Sequence, residues 1–394
     1  MNFIKFIAIV FLFSFFLNSQ VFAEPCKNTD SIEVLKEKAS NFYENFRDEK
    51  GADCYKIAAG RGDAESQGNL GWAYEYGNGV NQSYEEAFKW RLLGAEGGDA
   101  YSQGGLGWHY SEGVAVQQNY EEAVKWFRLG AIQGDIYSEG ALGWHYSNGA
   151  GVKQNDKEAM KWYTLAAEKG DAWAQGNLGW HYANEGPYQD YEKAIKWYTR
   201  AALEKDAWAQ GNLGWHYAEG LGVEQSYETA FKWRLLGAEG GDSYAQGGLG
   251  WQYEKGLGVE QSYEEAFKWR SLGAEQGDAY AQGGLAWHYA EGIEVEQDYE
   301  KAVSLFLLGA EGGDSYAQAS LGWHYEHGLG VEQDYEKAIE WRLKAAAQGH
   351  HYAQNGLGWQ YAEGLGVEQN DEEAVKWYLL AAEQGDDYAQ GALG

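Results

Sequence analysis

The chain has 394 residues, with 60 Asp and Glu against 30 Lys and Arg, and a formal net charge of −30. This charge argues against nucleic acid as a partner, because binding nucleic acid requires Lys and Arg to neutralise phosphates. It disfavours an anionic membrane surface for the same reason. An acidic surface also keeps long repeat proteins soluble, so the charge alone does not identify a ligand.

The N-terminal segment has the features of a secretory signal. Lys5 precedes an unbroken apolar run, and a small residue, Ala23, stands at the expected cleavage site. We therefore expect residues 1–23 to be a signal peptide, the mature chain to begin at Glu24, and the protein to be periplasmic or secreted. The apolar run is short for a membrane span and no later stretch approaches the required length, so we expect no stable membrane insertion after cleavage.

The chain has two cysteines, Cys26 and Cys54. An exported protein meets an oxidising compartment, which would form and preserve one disulfide between them. Two unpaired thiols are the alternative interpretation.

A repeat with a fixed period follows. Its most regular part is Leu-Gly-Trp or a near copy, whose Leu recurs every 36 residues, with one spacing of 35 where a turn reads NEGPYQ. The repeated Leu residues are Leu70, Leu106, Leu142, Leu178, Leu213, Leu249, Leu285, Leu321 and Leu357. A period of this length is typical of a solenoid. A tenth copy begins at Leu393, so we expect the natural chain to continue beyond Gly394.

Each repeat has the pattern of two helices. Ala209, Leu213 and Tyr217 are spaced four residues apart, which places them on one helical face, and Tyr227 with Phe231 begins a second apolar stripe. Glycine followed by Asp, as at Gly241-Asp242, provides a helix end and then a cap for the next helix. The sequence therefore predicts an all-α fold of helix-turn-helix units.

The repeats resemble the Sel1-like repeat family, which is related to tetratricopeptide repeats. The pattern is nearly complete from Ala317 to Gly349, which reads AQASLGWHYEHGLGVEQDYEKAIEWRLKAAAQG, and it extends from about Tyr55 to the C-terminus. The resemblance implies a right-handed α/α superhelical solenoid of about nine repeats, and a non-catalytic scaffold for protein interactions.

The resemblance also divides the chain. We assign residues 59–394 to the solenoid and residues 24–58 to an N-terminal capping helix, over Ser31 to Arg47, with a degenerate half repeat. A bond from Cys26 to Cys54 would attach this cap to the first repeat.

The first helix of each repeat carries a second face of aromatic residues. Trp208, Gly211 and Trp215 fall at i, i+3 and i+7, which is one face offset from the core stripe. In related solenoids the first helix lines the concave side and contacts ligands, so the resemblance implies binding there. The candidate residues are Trp72, Trp108, Trp144, Trp173, Trp180, Trp208, Trp215, Tyr244, Trp251, Tyr280, Trp287, Tyr316, Trp323, Tyr352 and Trp359.

Two interpretations of these aromatic residues stay open. Exposed indoles beside carboxylates suit a protein or an extended peptide, including a basic one, and also suit the faces of sugar rings. Alternatively, the Trp residues pack between successive first helices as core, since large aromatic side chains are usually buried. We predict an exported scaffold that binds protein or peptide, with a cell-envelope or extracellular glycan as the alternative ligand.

The second helix has its own Trp, for which a packing role is expected. These residues are Trp90, Trp126, Trp162, Trp197, Trp233, Trp269, Trp341 and Trp377. Leu305 replaces Trp in one repeat, which an apolar packing role tolerates.

Histidine follows the first-helix Trp in six repeats, at His109, His145, His181, His216, His288 and His324. A row of metal sites is one interpretation, but Gln252 and Gln360 occupy the same position elsewhere. Because Gln is a poor transition-metal ligand and a good hydrogen-bonding group, hydrogen bonds between helices are favoured. Neither a nucleophile motif, a phosphate loop nor a calcium loop is found, so we expect no enzyme activity, no metal and no cofactor.

Overall fold

The computed structural model describes residues 24–184 and 186–394, and it confirms the all-α prediction. Within this part of the chain there are 21 helices and no strand. The first ten are α1 Ile32–Glu44, α2 Asp48–Gly60, α3 Ala64–Tyr76, α4 Tyr84–Glu96, α5 Ala100–Glu112, α6 Tyr120–Ile132, α7 Ile136–Asn148, α8 Asp156–Glu168, α9 Ala172–Ala183 and α10 Tyr191–Leu203. The others are α11 Ala207–Glu219, α12 Tyr227–Glu239, α13 Ser243–Lys255, α14 Tyr263–Glu275, α15 Ala279–Glu291, α16 Tyr299–Glu311, α17 Ser315–His327, α18 Tyr335–Ala347, α19 His351–Glu363, α20 Asp371–Glu383 and α21 Asp387–Leu393.

The predicted signal peptide, residues 1–23, lies outside the described residues. None of the described helices is both long enough and apolar enough to cross a membrane.

Side-chain caps set where the helices begin, as the sequence predicts. The Asp242 carboxylate accepts a hydrogen bond from the Ala245 backbone N–H at 2.7 Å, which starts α13. The Ser83 hydroxyl accepts one from the Glu86 backbone N–H at 3.3 Å, which starts α4. First helices end at a glycine in the left-handed region, such as Gly113 with φ 71° after α5. The repeats are therefore helical hairpins whose ends are mostly capped, although His350 before α19 makes no cap hydrogen bond.

The chain divides into two compact units between Leu178 and Gly179. Inside each unit, the first helix of a repeat packs on its own second helix, and that second helix packs on the next first helix. The repeated Leu forms the core: the side chains of Leu106 and Leu249 are fully buried. The chain is therefore an α/α solenoid built from hairpins that bury one another's apolar faces.

The glycine after the repeated Leu allows the two helices of a hairpin to approach closely. A Cβ built at Gly107 would lie 2.7 Å from a ring carbon of Phe127, and one at Gly250 would lie 2.8 Å from Cγ of Arg270. A glycine inside a helix costs about 1 kcal/mol relative to alanine. Here it makes room for a large side chain from the second helix.

The N-terminal cap consists of α1 and α2. Ser31 caps α1, which lies within the range predicted from the sequence. Cys26 is bonded to Cys54 with a Cα–Cα distance of 5.3 Å, and Cys54 is fully buried in a cluster with Phe42 and Leu70. The bond therefore joins the segment that precedes α1 to the body of α2.

We predict that reduction of this disulfide increases amide hydrogen exchange in α1. The bond closes a segment with a sequence separation of 28 residues, and a loop of that size removes on the order of 3 kcal/mol of chain entropy from the unfolded segment. Exchange in α5, inside the repeats, should stay unchanged. A Cys26→Ser variant should show the increase without reductant, and unchanged protection of α1 in both samples would contradict the prediction.

The pH dependence of stability follows from the buried caps of the first helices. Burial raises the pKa of Asp242 to about 6, although the Ala245 N–H opposes this shift. A carboxyl group whose folded pKa lies above its unfolded value of about 4 stabilises the folded state as pH falls through that interval. Asp242 therefore adds more stability at pH 5 than at pH 8. The buried His216 and His324, whose pKa values are lowered by burial, act in the opposite direction over the same interval, so the effect of Asp242 is predicted as a difference between wild type and a variant.

The unfolding temperature of wild type minus that of Asp242→Asn should be larger at pH 5 than at pH 8, because Asn keeps the cap but does not titrate. The matched control is Asp334→Asn, at a second-helix cap where the Lys337 backbone N–H lowers the pKa of Asp334. Because Asp334 titrates only at more acidic pH, the difference for this control should be the same at both pH values. A difference for Asp242→Asn that does not change with pH would contradict the prediction.

Candidate functional site

We refer to the fifteen aromatic residues predicted above, from Trp72 to Trp359, as the first-helix aromatic surface. None of them is buried. Trp173, Trp323 and Trp359 are 45%, 43% and 39% exposed, and Trp108 and Trp251 are half-buried. The exposure of Trp173, Trp323 and Trp359 does not fit the interpretation as core, whereas the half-buried Trp residues combine packing with partial exposure. Their role in binding stays a prediction.

A neighbouring tyrosine explains why several of these indoles are only half exposed. Trp108 packs against Tyr84, which begins the second helix of the preceding repeat, with ring centroids 6.4 Å apart. Trp251 packs against Tyr227 in the same way at 6.3 Å. Each contact covers part of an indole that stays partly exposed. The rings are therefore positioned before any ligand arrives.

The repeated histidines close the hairpin turns. Nδ1 of His216 lies 3.0 Å from the Leu221 carbonyl oxygen, and Nδ1 of His324 lies 2.8 Å from that of Leu329. The Gln252 amide makes the equivalent bond to the Leu257 carbonyl at 3.0 Å. The predicted hydrogen bonds between helices are confirmed at His109, whose Nε2 lies 3.2 Å from Oε1 of Glu75 on α3, and at Gln252, which donates to the Tyr227 carbonyl oxygen at 3.0 Å. In addition, these side chains bond a turn carbonyl five residues on.

The histidines His216 and His324 are almost fully buried. Burial lowers the pKa of His216 and of His324, which favours the neutral ring. In the described part of the chain, no group of three or more His, Cys, Asp or Glu is arranged to hold a metal ion.

The second-helix Trp residues pack more deeply than those of the first helix. Trp162, Trp197 and Trp269 are buried, and the other five are half-buried. Leu305, which replaces Trp in one repeat, packs against the core around Phe306. The predicted packing role is confirmed.

Cavities lie between consecutive first helices, beside the aromatic surface. The Arg91 pocket, about 540 Å³, is lined by Arg91 with Trp72, Tyr101, Trp108 and Tyr137. The Phe127 pocket, about 280 Å³, is lined by Phe127 with Tyr137, Trp144 and Trp173. The Arg234 pocket, about 350 Å³, is lined by Arg234 with Trp215, Tyr244, Trp251 and Tyr280. Concave sites with aromatic walls and few polar groups are typical of ligand pockets.

Arg91, Phe127 and Arg234 all occupy the position directly after the second-helix Trp. Over the nine repeats this position is aromatic in five and Arg in four, namely Arg91, Arg234, Arg270 and Arg342. The Glu75 carboxylate accepts hydrogen bonds from Nε and Nη2 of Arg91 at 2.9 and 2.7 Å. Glu254 accepts from Arg270 at 2.9 and 3.1 Å. Both arginines are more than nine-tenths buried.

Glycine makes room for the buried guanidinium. A Cβ at Gly105 would lie 2.5 Å from Nε of Arg91, and one at Gly284 would lie 2.2 Å from Nε of Arg270. Where the second-helix residue is Phe127, the corresponding position on the next first helix is Ala141. Sequence analysis missed this three-residue arrangement of Glu, Arg and Gly, although comparing the repeats position by position would have shown it.

In each of these two pairs the carboxylate neutralises the charge of the buried guanidinium. Burial raises the pKa of Glu254, but the charge of Arg270 and a contact with His288 outweigh this effect and lower it to about 2. In the same way His109 and Arg91 outweigh the burial of Glu75 and lower its pKa. Both carboxylates are therefore ionised at neutral pH, each beside a charged guanidinium.

Comparison with known proteins decides the family. The Sel1 repeat pattern matches nine consecutive segments, which cover residues 64–99, 100–135, 137–171, 174–206, 209–242, 243–278, 279–314, 315–350 and 351–386. The chain is a Sel1-repeat protein. The resemblance found in the sequence is thus confirmed, and the repeats form a scaffold of a kind that typically mediates protein–protein interactions.

Two solved structures of the same kind are similar to this Sel1-repeat chain. The protective antigen c5321 of uropathogenic Escherichia coli strains, described as displaying an SLR fold, is 35% identical, with a TM-score of 0.68; the match covers 91% of this chain and 78% of that one. A Sel1 repeat protein from Oxalobacter formigenes is 30% identical, with a TM-score of 0.57, over 61% of this chain and 96% of that one. No match is found among curated proteins.

We predict that the two classes of Trp respond differently to truncation. Trp323→Ala on the first helix removes a side chain that is 43% exposed, whereas Trp269→Ala on the second helix removes one that is 9% exposed. The second change should lower the free energy of unfolding by about 3 to 5 kcal/mol, and the first by about 1 kcal/mol or less.

Urea unfolding monitored by circular dichroism would measure both losses. The two residues belong to the same compact unit, so the comparison is internally controlled. Losses of equal size would show that Trp323 is a packing residue and would contradict the prediction.

Proposed function

We propose that this protein is an exported, non-catalytic scaffold that binds a protein or peptide partner through the first-helix aromatic surface. The observation that carries the proposal is that none of these aromatic side chains is buried, while tyrosines of the preceding repeat pack against several of the indoles. The general role of Sel1 repeats in protein interactions supports it. Export is supported by the sequence of residues 1–23 and by the compatibility of the Cys26–Cys54 bond with an oxidising compartment.

The shape of the surface favours an extended ligand. The Arg91 and Phe127 pockets lie one repeat apart in the first unit and share Tyr137, so two side chains of one peptide can enter them, as in other groove-binding modes. Aromatic walls provide apolar contact area, and Trp or Tyr residues in such pockets commonly dominate binding energy.

Acidic residues at the pocket rims add a preference for basic neighbours in the ligand. Glu112 lines the Phe127 pocket and Glu219 lines the Arg234 pocket. Together with the net charge of −30, these carboxylates attract Lys and Arg side chains, which also interact favourably with indole faces.

A glycan is the second candidate ligand. The observation that favours it is the exposure of flat indole faces at Trp173 and Trp180, which are 45% and 43% exposed. Sugar rings stack on such faces and their hydroxyl groups hydrogen-bond to nearby carboxylates. A glycan would bind the same surface as a peptide, so the position of the site does not distinguish the two ligands and a binding experiment is needed.

The mature chain from Glu24, screened on peptide and polysaccharide arrays, tests the proposal. Trp215→Ala/Trp251→Ala should weaken binding of any captured peptide at least about tenfold, equivalent to 1.4 kcal/mol. The control is Leu236→Ala, which truncates a side chain 47% exposed on the second helix and should bind like wild type. Affinity should fall with added salt for basic peptides.

Peptide binding that survives the double Trp change would contradict use of this surface. If wild type binds a polysaccharide and no peptide, and the double Trp variant loses that binding, the glycan is favoured as the ligand.

A further inference from the structure

Arg234 departs from the other buried arginines. Its side chain is 5% exposed, but the position sixteen residues earlier, which holds Glu254 for Arg270, is occupied by Ala218. Arg234 makes no ion pair with any described residue. Its only hydrogen bond there is a long one, 3.4 Å from Nη1 to the Gly248 carbonyl oxygen.

The buried guanidinium of Arg234 lacks the counter-ion and most of the hydrogen-bond acceptors that it needs. A charged group removed from water is costly unless a partner of opposite charge and hydrogen-bond acceptors replace the water. Burial lowers the pKa of Arg234, whereas Glu254 outweighs the burial of Arg270 and raises the pKa of that residue. A guanidinium nevertheless stays protonated at neutral pH, so the Arg234 pocket holds a buried positive charge without its counter-ion.

The remaining parts of the arrangement are in place. Gly248 stands where Gly284 stands beside Arg270, and a Cβ there would lie 2.8 Å from Nε of Arg234. The guanidinium lines a cavity of about 350 Å³ whose walls are aromatic. The pocket thus combines fork-shaped donors with space and apolar contact area.

We propose that the Arg234 pocket binds a carboxylate carried by a peptide ligand. The carboxylate occupies the place that Glu254 takes beside Arg270, and accepts the paired hydrogen bonds that a guanidinium offers. An adjacent apolar side chain packs between Trp215 and Trp251. This inference rests on the proposed function and names the chemistry recognised at one pocket.

The surrounding charge limits the ligand to a single carboxylate. Glu219 also lines the pocket and is exposed, and it makes no ion pair with Arg234. Together with the strongly negative net charge it repels polyanions. A peptide C-terminus and an isolated Asp or Glu side chain share the required chemistry, and probes distinguish them.

The test uses the Nε–Hε NMR resonance of Arg234 in the mature protein. N-acetyl-phenylalanine carries a free C-terminal carboxylate, N-acetyl-phenylalaninamide carries none, and N-acetyl-glutamate α-amide carries a side-chain carboxylate. We expect a saturable shift with at least one of the two acids, and affinity for the neutral amide at least about tenfold weaker. The preferred acid identifies the source of the carboxylate.

Two variants test the mechanism without removing aromatic walls. Ala218→Glu supplies the missing internal carboxylate, and Arg234→Phe copies the repeat in which Phe306 is paired with Ala290. Ala218→Glu should abolish the shift that the acids cause in the Arg234 resonance. Arg234→Phe has no such resonance, so its binding would be measured by calorimetric titration with the acids, and we expect none. Neither should lower the unfolding temperature, which verifies that the variants fold. Glu254→Ala should create a second site at Arg270.

The outcomes separate this inference from the proposed function. Equal binding of acid and amide, undiminished binding to Ala218→Glu, or no binding at millimolar concentrations would overturn the carboxylate pocket. Peptide binding that still depends on Trp215 and Trp251 would then leave the proposed function intact. A shift with glucuronate, but with neither amino-acid probe, would assign the pocket to an acidic sugar and overturn the peptide ligand.

Discussion

The close approach of the two helices at the glycine after the repeated Leu is the contact on which the rest of the structure depends. Without a side chain at Gly214, the second helix can pass Arg234 across the first helix, with Cγ only 2.6 Å from where a Cβ would be. Gly107 does the same for Phe127. In the repeats of the Arg91, Phe127 and Arg234 pockets, the space left by the glycine is therefore occupied by the residue that lines the pocket. Ala286 replaces this glycine in one other repeat. The loss of helix propensity at these positions is offset by packing.

The repeats share most of their framework residues, but the second-helix residue that packs against this glycine differs between repeats. The core Leu is the same in every repeat, and most first helices begin at an Asp cap. The residue after the second-helix Trp position changes between Arg and an aromatic side chain, and its partners change with it. Arg270 has Glu254, whereas Phe306 in the next repeat faces Ala290 at the corresponding position. Neighbouring repeats of one unit can thus differ in polarity on the same fold.

Periodicity was sufficient to predict the fold but not the state of the aromatic residues. The spacing of Leu and the Gly-Asp junctions predicted helices whose caps the structure shows, because these signals act within a few residues. The same spacing could not tell whether Trp108 is core or accessible, since the answer depends on Tyr84 from the preceding repeat. The predicted hydrogen bond between helices is found at His109 with Glu75, but the bond of His216 to the Leu221 carbonyl was not predicted, because that carbonyl is reached only through the geometry of the turn. The missing partner of Arg234 is visible in the sequence once Glu254 and Arg270 are known to touch.

Accessibility of the first-helix indoles is the claim on which the functional account depends. Acrylamide quenching of tryptophan fluorescence measures it directly, through the difference between wild type and a Trp180→Phe/Trp323→Phe variant. Both side chains are 43% exposed, so the account predicts that the variant loses a red-shifted component that acrylamide quenches readily. Loss of a blue-shifted, shielded component would contradict it, and would mean that the first-helix aromatic surface is part of the core.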